Sequence, residues 1–290
     1  MERAEFGVIG GSGFSDWPEL NNSETLSIMT PFGDPSGDLL VGEVAGKRIA
    51  FLARHGRGHR LNPSEVNYRA NLFAMKMLGV KTLISVAAVG SLREEINPTD
   101  LVIPDQFFDF SHKREKSFFC DGIVAHVAFA RPTCPRYTAL AREVAQGLEI
   151  RNHFGGTYFN MEGPQFSSLG ESLVYRQLGF SVIGMTQAVE AKLARELEMC
   201  FLPLAFVTDY DCWHQEAETV TTEMIVKILK MTLVAAKRMV LGIASGQPAG
   251  ACDCATALAG AIVTDPAVIP PETRRKLDLI VGKYLGPQEK

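Results

Sequence analysis

Residues 202–213 read LPLAFVTDYDCW. The apolar run Leu202–Val207 passes directly into Thr208, Asp209, Tyr210 and Asp211. A short apolar run closed by polar residues reads as a buried strand, and in α/β folds ligand groups gather where strands end. The pattern recurs upstream. Phe6–Ile9 leads into Gly10-Gly11-Ser12-Gly13, Arg48–Leu52 into Ala53-Arg54-His55-Gly56-Arg57-Gly58-His59-Arg60, and Ser181–Ile183 into Gly184-Met185-Thr186-Gln187. Further strands are expected at Thr82–Val86 and Leu101–Val102. Helical patterns fall between, over Asn67–Met77, Pro135–Leu148, Leu169–Leu178, Ala188–Met199 and Glu223–Ala244. The alternation is that of an α/β fold.

The 290 residues are 46% hydrophobic and 21% charged, enough to bury a large core. No linker cuts the chain cleanly, so a single domain is expected. Its core spans about 5–244; a loosely packed, Gly- and Ala-rich excursion covers 245–268, and a last helix covers 270–284, opened by Pro270-Pro271. A net charge of -4 gives no reason to expect nucleic acid or an anionic membrane as partner. No run of about 18 apolar residues suggests a membrane span, glycines interrupt the start of the chain, and a cytoplasmic location is expected. Six cysteines are too sparse for a disulfide scaffold. None stands in a zinc-like spacing, so no metal and no cofactor are expected.

Consecutive glycines after Ile9 let backbone N–H groups approach an anion, and Ser12 adds a hydroxyl. Asp16 stands where the third glycine of a dinucleotide fingerprint would be, and no Gly-Lys-Ser/Thr follows. Taken alone, this stretch reads more readily as a plain structural turn. The Arg54–Arg60 segment concentrates guanidinium and imidazole donors that suit phosphate, though a solvated basic loop is the competing reading. Asn160-Met161-Glu162-Gly163-Pro164-Gln165-Phe166-Ser167-Ser168 is a further polar turn before a helix. Carboxylates two apart, as at Asp209 and Asp211, also serve as helix caps or metal ligands.

Taken in order, GVIGGSGF, TPFGDPS, FLARHGRGHR, NPSEVNYRANLFA, VGSLREEI, IPDQFFD, MEGPQFSS, GMT and VTDYDCW resemble the trimeric purine nucleoside phosphorylase family, in its branch acting on 5'-methylthioadenosine. The resemblance runs from Gly7 to about Ala244. It implies a single α/β domain around a large mixed, partly barrel-like sheet surrounded by helices, assembled as a homotrimer or a dimer of trimers. It also implies phosphate-dependent cleavage of a nucleoside, with inorganic phosphate as co-substrate and no cofactor, indifferent to chelators.

The matching positions imply a phosphate site of Ser12, Arg54, His55, Ala87 and Thr186. Ala87 is a departure, standing where a threonine usually donates to phosphate. Met185 matches the residue under the ribose, and Phe166 and Ser167 match the wall against the base. Asp209 and Asp211 match the pair that reads adenine: Asp209 shares a proton with N7, and Asp211 accepts from the 6-amino group. His126 matches a histidine lent by a neighbouring subunit to the 5' pocket, which Thr222 and Ile225 would line. Gln165 replaces a usual arginine, and Ala188-Val189-Glu190 replaces Val-Pro-Glu. Cys134 and Cys200 match a disulfide of heat-stable relatives, with Cys252 and Cys254 as a tail motif; reduced thiols are the expectation in a cytoplasmic chain. Three alternatives stay open: preference for methylthioinosine, preference for a purine nucleoside with a free 5'-hydroxyl, or a nucleoside-binding protein without turnover.

Overall fold

The computed structural model describes residues 4–11, 13, 17, 19–214 and 222–286, with backbone alone over 222–231. Its strands are β1 (Phe6–Gly10), β2 (Asn21–Leu26), β3 (Leu39–Val44), β4 (Lys47–Ala53), β5 (Thr82–Ser91), β6 (Leu101–Ile103), β7 (Gln106–Asp109), β8 (Asn152–Phe154), β9 (Thr157–Asn160), β10 (Val182–Gly184) and β11 (Cys200–Asp209). They form one sheet in the order β2-β3-β4-β1-β5-β10-β9-β7, and β11 branches from β5 to carry β6 and then β8. The helices are α1 (Tyr68–Met77), α2 (Pro135–Gly147), α3 (Leu169–Gln177), α4 (Gln187–Glu196), α5 (Thr222–Ser245), α6 (Pro271–Lys276) and α7 (Asp278–Leu285).

Both faces of the sheet are covered. Along β1, Phe6 and Val8 pack on one side with Tyr137 and Leu140 of α2 and Met239, Val240 and Ile243 of α5. Ile9 packs on the other with Leu72 and Met75 of α1 and Leu193 of α4. Burial on two faces explains why these strands read as continuous apolar runs. Strand β5 lies parallel to both β1 and β11, and β4 lies parallel to β1. The C-terminal ends of β1, β4, β5 and β11 therefore open on the same edge, and the polar loops gather there.

Local signals fix the helix ends. Asn67 caps α1 by accepting from the Ala70 N–H, and Gly79 follows its end at φ +87°, a conformation that glycine adopts without a Cβ penalty. Ser168 and Glu171 form a reciprocal capping box at α3.

Three expectations change. Strands β2, β3, β7, β8 and β9 add to the expected set; β2, NNSETL, has no apolar run and is exposed along nearly its whole length. The last helix is two, α6 and α7, meeting at the buried Leu277. The 245–268 stretch contains one-turn helices at Cys254–Thr256 and Pro266–Val268, and it buries Cys254, Leu258 and Ala261. Among the described residues, no helix is long and apolar enough to cross a membrane.

Candidate active site

Strand β11 runs in register with β5 until Val207, which faces Val89; the next pairing is Asp209 with Gly90, so Thr208 is an extra residue. This bulge re-aims the strand end. Asp209 Oδ2 accepts from the Thr208 hydroxyl at 2.7 Å, and Oδ1 from the Asp211 backbone N–H at 2.7 Å. Asp211 takes the left-handed backbone, φ +54°, which a short polar side chain tolerates. Its Oδ2 accepts from the Ser172 hydroxyl, and Ser167 also hydrogen-bonds its carboxyl. Burial pushes the pKa of both carboxyls up from the ordinary aspartate value, and the Asp211 charge adds to the rise at Asp209. Gly90 leaves room beside them: a Cβ there would lie 3.0 Å from Asp209 Oδ1 and 3.1 Å from Ile183 and would press on both side chains.

Arg54 follows β4 and is only 3% exposed. Its Nε and Nη2 grip Glu190 of α4 at 2.5 and 3.0 Å, Nη2 also reaches the Ser85 hydroxyl at 3.1 Å, and Nη1 donates to the Val86 carbonyl at 3.0 Å. Glu190, the one residue of the Ala188-Val189-Glu190 triplet that matches the family pattern, anchors the guanidinium. Most of the fork expected to clasp phosphate faces inward. Thr186 is the N-cap of α4 yet makes no side-chain cap bond, and a helix N-terminus is a ready anion site.

His55 differs from the expected ring donor. Its Nδ1 lies 2.9 Å from the Leu61 carbonyl, which can only accept, so Nδ1 carries the hydrogen. Burial, then the Arg54 charge and the stacked His59 ring, hold its pKa down to about 4. Near neutral pH, its Nε2 presents a lone pair. A bound phosphate must meet it with a P–O–H or bring a proton to the ring.

Met185 follows β10, and its sulfur packs so closely on Gly163 that a Cβ there would sit 2.5 Å away. Arg114, absent from the sequence reading, ties this region together. It donates to the carbonyls of Met185 and Glu162 and pairs with the Glu162 carboxylate at 3.3 Å. Burial raises Glu162, but the N–H groups of His112 and Lys113, the Ser64 hydroxyl and Arg114 outweigh it and bring the pKa down to about 2. A single arginine in an unremarkable loop (Ser111–Lys116) carries no motif by which to find it.

The remaining candidates are scattered. Ala87 is buried in β5 opposite Ala205. Ser167 joins the Asp211 carboxyl, whereas Phe166 is 61% exposed and Gln165 is exposed beside it. His126 is exposed, held by its backbone N–H to the Ala261 carbonyl. Ser12 and the side chains of Thr222 and Ile225 lie outside the described residues. Phe118 is buried within its own chain against Phe32 and Phe73, while Phe108 and Phe110 stay about half exposed.

The profile of the Phosphorylase superfamily matches residues 5–244. The chain belongs to this superfamily. Within it, the chain is 48% identical over 288 residues to the S-methyl-5'-thioadenosine phosphorylase of Koribacter versatilis, covering 99% of each. It is 49% identical over 281 residues to that of Geobacter sulfurreducens, covering 96% of this chain and 98% of the other. Among solved superfamily structures, a methylthioadenosine phosphorylase from an antarctic soil metagenomic library aligns with TM-score 0.91 at 42% identity, over 99% of this chain and all of the other. The Schistosoma mansoni methylthioadenosine phosphorylase, solved with adenine, aligns with TM-score 0.79 at 31% identity, over 96% and 98%.

Proposed function

We propose that the chain is a pentosyltransferase that uses inorganic phosphate to split 5'-methylthioadenosine into adenine and 5-methylthioribose 1-phosphate. The observation that carries the reading is the Asp209/Asp211 pair, two largely buried carboxyls of raised pKa at the end of β11, with hydroxyl and N–H partners. Near-identical coverage of relatives that bear this activity in their names supports it.

In the reaction, a phosphate oxygen forms a bond to the anomeric carbon as the bond to N9 breaks and its electron pair leaves with the purine. Negative charge grows on the base. A proton delivered by Asp209 to N7 neutralises it, and burial of the carboxyl favours the protonated form that can do so. Asp211, oriented by Ser172 and Ser167, accepts from the 6-amino group. Phosphate sits among Ser12, His55, Thr186 and the inward-tethered Arg54, near Ala87, and Met185 underlies the ribose. Phe166 closes on the base when substrate covers it, and Thr222 and Ile225 line the methylthio end. Inorganic phosphate is the second substrate, and the chemistry requires no further cofactor.

We place the enzyme in the cytoplasm as a homotrimer or a dimer of trimers, with His126 of one chain closing its neighbour's 5' pocket. The half-exposed Phe108 and Phe110 support an interface nearby. The test is a substrate panel of methylthioadenosine, adenosine, methylthioinosine and inosine, with and without phosphate. Methylthioadenosine should be cleaved best, and only with phosphate. Equal release of base in phosphate-free buffer would overturn the proposal.

A further inference from the structure

The sequence offers no zinc-like spacing, yet the fold gathers four cysteines from three distant segments. Cys134 is the N-cap of α2, Cys200 opens β11, and Cys252 and Cys254 flank Asp253 in the segment after α5. Their four sulfur atoms lie within 4.8 Å of one another. The Cys200 and Cys252 sulfurs are 3.7 Å apart. A disulfide holds its sulfurs about 2.05 Å apart. A tetrahedral zinc with bonds of about 2.3 Å holds them about 3.8 Å apart. The observed separation is the edge of that tetrahedron.

The surroundings suit thiolates. Backbone N–H groups of Arg136 and Tyr137, at the start of α2, face the Cys134 sulfur. The Arg136 side chain hydrogen-bonds Cys252 and also donates to the Pro248 carbonyl at 2.9 Å, bringing positive charge to the cluster. Asp253, between the two tail cysteines, turns away to pair with Arg195 at 3.4 Å. Cys134 and Cys254 are buried, while Cys200 and Cys252 are partly exposed, so an ion has a way in.

We propose that Cys134, Cys200, Cys252 and Cys254 bind one structural zinc ion that staples the segment after α5 to the start of β11 and to α2. Binding replaces four thiol protons by Zn²⁺, leaving a tetrathiolate of net charge -2 that Arg136 and the α2 N-terminus offset. All four protein positions are filled, so the ion has no open site for substrate and lies outside the phosphorolysis chemistry.

The experiment uses full-length protein produced with zinc in the medium and purified under thiol reductant. Elemental analysis should find about one zinc per chain. A mercurial should release it in step with thiol modification, and cobalt exchange should give the thiolate charge-transfer and d–d bands of a tetrahedral sulfur site. Cys252→Ser/Cys254→Ser should lose the metal and lower Tm by several degrees, with turnover unchanged at temperatures where it stays folded. If that variant does not fold, the metal content and cobalt spectrum of the natural chain decide alone. Four freely titrating thiols without zinc, a disulfide among them by mass spectrometry, or bound iron instead would each overturn the zinc assignment.

Discussion

Glu190 holds Arg54 from inside the fold, at 2.5 and 3.0 Å, with both side chains almost wholly buried. The carboxylate keeps the guanidinium charged despite its burial, and the tether fixes where its remaining donor capacity points. Breaking such a pair strands a buried charge, so Glu190→Ala should cost about 3–5 kcal/mol of stability, read by denaturant titration. Its phosphate KM should rise about ten- to a hundredfold, the loss expected when one charge-assisted hydrogen bond of about 1.5–3 kcal/mol is misplaced. An unchanged phosphate KM would assign the pair to stability alone.

Asp209→Asn removes the proton donor to the leaving base, and turnover should fall about a hundredfold or more. Asp211→Asn replaces an acceptor with a group that can donate. It should shift preference toward 6-oxo purines, measured as the ratio of kcat/KM for methylthioadenosine and methylthioinosine. An unaltered ratio would remove Asp211 from base recognition.

Two groups make stability depend on pH in opposite senses. The native pKa of His55, about 4, lies below its ordinary 6.5, so the unfolded chain binds more protons between those values and stability falls as pH drops through that window. Burial lifts Glu196 to about 7, above the ordinary 4.5, against the opposing Phe118 N–H and Ser117 hydroxyl; stability therefore falls as pH rises from about 4.5 to about 7. Glu196→Gln should remove the second loss and leave the first, and His55→Gln the reverse. Denaturation midpoints across the acid range check both.

The shared-pocket arrangement predicts complementation. His126→Ala should impair catalysis, and mixing it with Asp209→Asn subunits should create some sites with both residues intact and restore activity. Light scattering along a dilution series should show activity falling as the assembly dissociates. Proven subunit exchange without recovery would confine His126 to its own chain.

The parts of the fold legible in the sequence are those where one physical demand dominates. Strands β1, β4, β5 and β11 are packed on two faces, so their runs are apolar and their polar ends mark the loops. The β2 edge satisfies no such demand, and its polar, exposed residues look like a loop until β3 pairs with it. The Asp209/Asp211 pair is visible as a motif, but its hydroxyl partners Ser172 and Ser167 come from another segment. Arg114 acts across a distance that only folding closes. The cysteines are the sharpest case: 134, 200, 252 and 254 obey no local spacing because three elements deliver them.

The extra residue at Thr208 puts β11 out of phase with β5 for its final step. Side-chain replacement at Asp209 leaves that phase alone; removal of one residue at Thr208 would restore it and turn the carboxyl toward a different face of the sheet. Altering base preference by loop grafting therefore has to move residues 208–213 as a block, since their aim depends on chain length as much as on side-chain identity.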